Sequence, residues 1–162
     1  MSTPSITTVP LVQAHDLAMS FDVSPPWLNR VLEGKPRETL NAVDGVSFDI
    51  DKGKTLALVG ESGCGKSTVA RLLVGLYEPT RGHLTFDGQD AHAIFKTAQA
   101  APLRRRIQMI FQDPYASLNP RWIVGDIVGE PLKEHGLIGD AAELKVRVGA
   151  LLQSVGLSAL DM

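Results

Sequence analysis

Three adjoining features of residues 55–76 predict an α/β fold: an apolar run without a polar face, a glycine-rich turn, and an apolar period of three to four residues. The run "TLALV" (55–59) is apolar on both sides, as a central strand covered on each face requires. The turn "GESGCGKST" (60–68) follows directly. Val69, Leu72, Leu73 and Leu76 then recur at helical spacing, and Pro79 and Gly82 in "YEPTRG" stop the helix.

The remaining elements follow in chain order. Residues 1–10 read as a flexible N-terminus. "LVQAHDLAMSF" (11–21) reads as a strand with Leu17, Met19 and Phe21 on one face. Residues 22–39 carry three prolines and no clear period, the pattern of an exposed loop insertion. "AVDGVSFDI" alternates, with Val46, Phe48 and Ile50 opposite Ser47 and Asp49, as in a half-buried strand. "DKGK" (51–54) is a turn. "HLTFDG" (83–88) alternates again, residues 89–104 read as a loop plus a weak helix, and "RIQMIF" (106–111) reads as a further strand. A short helix is expected from about Ile123 to Gly129. Asp140 and Glu143 have the spacing of a capping box, and Leu144, Val148, Leu151, Leu152 and Val155 continue a helical stripe.

Composition narrows the function classes. A formal net charge of −2 over 162 residues gives no sign of a nucleic-acid partner. One cysteine, Cys64, excludes an internal disulfide. No apolar run approaches the roughly 20 residues that span a bilayer, and the first residues lack the pattern of a secretory signal.

The chemistry is concentrated in residues 60–68. Gly60, Gly65, Lys66 and Ser67 fit the spacing G-x-x-x-x-G-K-[ST], with a strand before and a helix after, which is the signature of an NTP-binding loop. Gly63 and Gly65 let the backbone curl so that successive N–H groups point inward. The helix N-terminus adds partial positive charge. Lys66 is expected to reach the β- and γ-phosphates, Ser67 to place its hydroxyl on Mg²⁺, and Thr68 to sit near the α-phosphate. Glu61, Ser62 and Cys64 complete the cradle, Cys64 through its backbone N–H. A glycine-rich turn with a solvated lysine is the bland alternative. Gln112 follows an expected buried strand, where α/β sheets display functional groups; its amide can ligate a metal or hold a water, or it is a plain loop residue. The run Arg104–Arg106 reads as a solvated edge.

Taken together, "AVDGVSFDIDKGKTLALVGESGCGKST", "IQMIFQDPYASLNPR" and "VGDIVGEPL" resemble the ATP-binding subunits of ABC transporters, in particular those of oligopeptide and dipeptide importers. The resemblance runs from about residue 11 to the last residue. It implies a P-loop NTPase fold of the ABC nucleotide-binding type, truncated: an antiparallel β subdomain, part of a parallel core, and from residue 112 the Q-loop and the start of a helical subdomain. It implies ATP and Mg²⁺ as cofactors, Gly60–Thr68 as the Walker A loop, Phe21 as the aromatic that stacks on adenine, and Gln112 as the Q-loop sensor that contacts Mg²⁺. Core packing is the alternative for Phe21. Tyr115 is placed near a docking surface for membrane subunits, with a partly buried loop aromatic as the alternative. The implied partners are transmembrane permease subunits, a second ATP-binding subunit and, indirectly, a solute-binding protein. The implied location is cytoplasmic, on the inner face of the plasma membrane.

The family's signature sequence, Walker B strand and switch histidine find no counterpart in the sequence; His15, His83 and His92 come too early, and His135 lacks the context. ATP binding without efficient hydrolysis is therefore expected, with "TLALV" exposing an apolar edge. Importers of nickel or opine-like solutes, and a soluble P-loop phosphotransferase, are the alternative functions.

Overall fold

The computed structural model describes residues 9–34, 36–113 and 118–159. The described residues fall into two compact units divided after Met109. The first eight residues of the expected flexible N-terminus, and Tyr115, lie outside the described residues.

The first unit is a four-stranded antiparallel sheet with short helices. In chain order its elements are β1 (Val12–Asp22), α1 (Trp27–Glu33), β2 (Thr39–Ile50), α2 (Lys66–Leu73), β3 (Arg81–Phe86), β4 (Gln89–Asp90), α3 (Ala91–Phe95) and α4 (Ala100–Arg106). The strand order is β2-β1-β3-β4. β1 therefore lies inside the sheet, paired with β2 through Ala14–Phe48 and with β3 through Ala14–Leu84. Its alternation breaks at Asp16, which takes a positive φ of 49°. The register shifts between Ala14 and Leu17, as a bulge produces. Leu17 and Ala18 are both buried as a result, while Met19 and Phe21 are half-buried.

The apolar face of the sheet carries two joined clusters. One gathers Ala14, Leu17, Leu84, Phe86, Ala91, Phe95 and Leu103; the other gathers Val43, Val69 and Leu72. Phe48 and Leu73 pack against both, which seats α2 over the sheet. Gly75, with φ +73°, ends the turn after α2; a Cβ there would lie 2.3 Å from the Phe95 ring, so only glycine lets α3 close on this corner.

A polar knot fixes the bulge. Arg81 Nε and Nη2 donate to the Asp16 carboxylate at 2.8 and 3.1 Å, and Nη2 reaches Asp44 at 3.3 Å. The Asp16 N–H donates to Ser47 Oγ at 2.9 Å. Three strands thus meet through side chains at the bulge around Asp16, where both ladders of β1 shift register.

Several expected elements differ. The insertion at 22–39 contains α1, whose Trp27, Leu28 and Leu32 are exposed. The helix after the glycine loop ends at Leu73, so Leu76 is exposed rather than part of its apolar stripe. Residues 89–104 form β4, α3 and most of α4. The two buried strands do not form. Residues 51–60 are exposed throughout, Val59 at 90%, and no strand occurs over 55–59. α4 runs through Arg106, and residues 107–111 join no sheet, with Ile110 96% exposed. The expected share of a parallel core is therefore absent among the described residues. The reason is pairing: an apolar strand is stable only when neighbours take up its N–H and C=O groups, and no described segment does so.

The second unit contains two helices, α5 (Val124–Glu134) and α6 (Ala141–Ser154). α5 starts one residue after the expected boundary and runs past Gly129. The expected capping box is present in altered form. Asp140 accepts from Glu143 N–H at 2.8 Å, while Glu143 Oε2 accepts from the N–H of Gly139 at 2.8 Å. Gly129 is buried, and a Cβ there would press on Leu144 at 3.2 Å. Val148 and Leu152 of the α6 stripe are buried; Leu151 and Val155 are exposed.

Leu17, fully buried, and Val59, 90% exposed, should respond oppositely to truncation. Leu17→Ala is expected to cost about 2–5 kcal/mol and Val59→Ser to stay within about 0.5 kcal/mol, both measured by urea denaturation. The Arg81 guanidinium holds the Asp16 carboxyl below its ordinary value by hydrogen bonding and then by charge. A lowered folded-state pKa adds stability above the unfolded value, about 3.9. That stability is lost as pH falls through the folded value. The Asp16 carboxyl carbon should titrate by NMR below about pH 3.9, and Arg81→Gln should move its midpoint upward.

Candidate nucleotide-binding loop

The site begins where residues 55–59 run into the glycine loop. Gly63 and Gly65 take φ of +84° and +95°, which turns the chain back before α2. Gly65 is the N-cap of α2. A Cβ on Gly65 would lie 2.2 Å from the Ala42 carbonyl oxygen of β2. The loop is therefore pressed onto the sheet backbone at this residue.

The first intrahelical bond is Val69 N–H to Gly65 O at 3.0 Å. The N–H groups of Lys66, Ser67 and Thr68 have no intrahelical acceptor. Lys66 folds back over the loop, and its Nζ donates to the Gly60 carbonyl at 2.7 Å, to the Glu61 carbonyl at 2.5 Å, and more loosely to Cys64 Sγ at 3.5 Å. The Cys64 N–H is taken by the Glu61 carbonyl at 3.3 Å. An ammonium inside a ring of backbone, beside free N–H groups at a helix start, is a donor-rich concavity suited to an anion. An open cavity of about 210 Å³ adjoins it, lined by residues including Ala42, Val43, Val59, Gly65, Lys66 and Val69.

The ABC transporter family profile matches residues 43–161. The chain belongs to the ABC transporter family.

Among curated relatives, the chain is 52% identical over 123 residues to the oligopeptide transport ATP-binding protein OppF of Bacillus subtilis, covering 76% of this chain and 40% of that protein. It is 42% identical over 149 residues to OppF of Escherichia coli, covering 91% of this chain and 43% of the relative. It is 48% identical over 148 residues to the glutathione import ATP-binding protein GsiA of Pectobacterium atrosepticum, covering 91% and 23%. This ABC chain thus spans less than half the length of these relatives. Among solved structures, the dimeric ATP-binding cassette MJ0796, bound to ADP and Pi, superposes with a TM-score of 0.69 at 20% identity, over 91% of this chain and 58% of that one. At that identity the likeness concerns the fold. The antiparallel sheet with flanking helices is accordingly part of an ABC nucleotide-binding fold.

Within this ABC fold, Gly60–Gly65 form the loop and Lys66–Thr68 the first turn of α2. Ser67 is exposed at the start of α2, with Thr68 half-buried beside it. Phe21 lies at the end of β1, paired with Leu40. Leu40 is two residues from the Ala42 that Gly65 touches, so one strand carries both contacts. The Phe21 ring packs edge-on against Tyr77, centroids 5.4 Å apart, and Arg71 donates to the Tyr77 hydroxyl at 3.2 Å. Tyr77 was not singled out from sequence; its position, four residues beyond the end of α2, is the available signal. Gln112 is an exposed bend residue of the second unit, following an irregular segment rather than the expected buried strand. Among the described residues no cluster of three or more His, Cys, Asp or Glu side chains forms a metal site.

Gly65→Ala should destabilise the loop more than Gly63→Ala. Both positions have positive φ, costing about 1–2 kcal/mol for alanine. Only at Gly65 does the new methyl meet a backbone atom; at Gly63 nothing lies within 4 Å. Urea denaturation of the two variants checks the order.

Proposed function

We propose that this chain is the ATP-binding portion of an ABC importer that takes up di- or oligopeptides. The observation that carries the reading is the Lys66 ammonium enclosed by the Gly60 and Glu61 carbonyls next to the acceptor-free N–H groups of Lys66, Ser67 and Thr68. Phosphate oxygens would replace the two carbonyls at Lys66 and take up the free N–H groups. Each hydrogen bond to a charged group contributes roughly 1.5–3 kcal/mol net. Glu61 to Cys64 contribute loop backbone, Gly60, Gly63 and Gly65 allow the close approach, and Thr68 stands beside the α-phosphate.

Phe21, held upright by Tyr77, offers a ring face for adenine; base–aromatic stacking contributes about 1–3 kcal/mol. Mg²⁺ would be held by the Ser67 hydroxyl together with phosphate oxygens and would screen the phosphate charge; Gln112 is assigned the role of Q-loop sensor. The peptide class of solute is supported by the names of the relatives, two assigned to oligopeptide transport and one to glutathione import. These names favour peptides over the nickel or opine-like alternatives. A second ATP-binding subunit and transmembrane permease subunits would complete the transporter, with a solute-binding protein delivering the peptide. No helix among the described residues is long and apolar enough to cross a membrane, so the proposed place on the inner face of the plasma membrane relies on the permease subunits.

Hydrolysis requires a group that orients the attacking water as well as a phosphate cradle. The chain supplies the cradle, and we assign it binding without efficient turnover. Titration with Mg²⁺-ATP by calorimetry should show one site per chain. Lys66→Ala should weaken it by roughly 10- to 100-fold, the equivalent of one charge-assisted hydrogen bond. Steady-state phosphate release should stay at background. Robust turnover abolished by Lys66→Ala would overturn the binding-only assignment, and unchanged affinity in that variant would overturn the site.

A further inference from the structure

The face of the sheet opposite the core carries a pair of histidines that the nucleotide reading does not use. His15 of β1 and His83 of β3 are direct cross-strand partners. Their rings are stacked, with centroids 5.1 Å apart and planes 19° from parallel. Both residues are exposed, and neither imidazole is hydrogen-bonded to another described residue. The next row on the same face is polar too: Gln13 pairs with Thr85, Thr85 Oγ1 lies 3.4 Å from Gln13 Oε1, and Asp49 of β2 stands opposite Gln13. The nearby cation, Arg81, is engaged by Asp16 and Asp44.

We propose that His15 and His83 together form a two-imidazole site for a borderline transition-metal cation such as Ni²⁺, Zn²⁺ or Cu²⁺. Metal–imidazole bonds of about 2.0–2.1 Å place two ligand nitrogens roughly 3–4 Å apart around one ion. Rings already 5.1 Å apart reach that spacing by turning about χ2, a broad torsion in histidine. Because the pair bridges two hydrogen-bonded strands, the second ligand binds from a short, fixed distance, which raises affinity over a single histidine. Water completes the coordination shell. Imidazole suits these ions, whereas Mg²⁺ takes oxygen ligands, so this site is chemically separate from the one proposed at Ser67. The Asp16–Arg81 ion pair occupies the adjacent bulge and neutralises the guanidinium that would otherwise repel a cation.

The test titrates Ni²⁺ alone, without nucleotide, into the 162-residue chain. One ion per chain is expected, with His15→Ala and His83→Ala each lowering affinity by at least roughly tenfold through loss of the chelate. Both side chains are exposed, so the variants should retain the wild-type circular dichroism. An NMR experiment on the unmutated chain gives an independent readout. Paramagnetic Ni²⁺ should broaden the imidazole signals of His15 and His83 first and leave His92 and His135 sharp. Absence of binding, affinity unchanged by either substitution, or equal broadening of all four histidines would each reduce the pair to a solvent-facing stack and overturn the proposal.

Discussion

The contact between Gly65 and the Ala42 carbonyl is the constraint from which the rest of the site follows. A Cβ at residue 65 would sit 2.2 Å from that oxygen, so the glycine loop can lie against β2 only without a side chain there. Once seated, Gly65 starts α2, and Val69 and Leu72 drop into the cluster around Val43. The same strand carries Leu40, the partner of Phe21. A single close approach therefore sets the loop, its helix and the aromatic in one frame, with β2 as the reference.

The charged groups of the sheet act on geometry more than on energy. Arg81, Asp16 and Asp44 are more than 40% exposed at the side chain, and exposed ion pairs contribute little net stability. Their value lies in where they stand. The positive φ of Asp16 breaks the period of β1, and a one-residue slip of a strand would turn its apolar residues to solvent. Arg81 from β3 and Ser47 from β2 hold the bulge from both sides. Leu17 is thereby kept in the core although the alternation before it would point it outward.

Much of the fold was readable from residue order. The period of β2, the strand before the Asp87–Gly88 turn, the helix after Gly65 and the Asp140 cap all depend on local chemistry that a sequence displays. The bulge was not readable, because a positive φ at an aspartate leaves no pattern of its own. Nor was α1, whose short stretch between prolines has no apolar period. The failure at 55–59 and 106–111 is of another kind. Their composition does describe buried strands, but burial is a property of neighbours, and the chain offers them none among the described residues. For the site, the spacing of Gly60, Gly65, Lys66 and Ser67 located the loop. The folding of Lys66 onto the Gly60 and Glu61 carbonyls, and the Tyr77 support for Phe21, required three dimensions.

The exposure of residues 51–60 has a thermodynamic consequence for the loop they lead into. On the α2 side the loop is anchored by Gly65 and a packed helix. On the other side the local turn bond from Lys54 N–H to Asp51 O is the backbone bond formed among residues 51–60. Segments with so few buried contacts open at small free-energy cost. A ligand that needs both arms in place then binds with an affinity scaled down by the fraction of molecules in which they are. Covering the apolar side chains of 55–59 raises that fraction without touching the ligand. The unpaired segment 55–59 and the phosphate loop are thus two ends of one equilibrium, and the affinity of the loop reports how completely that segment is covered.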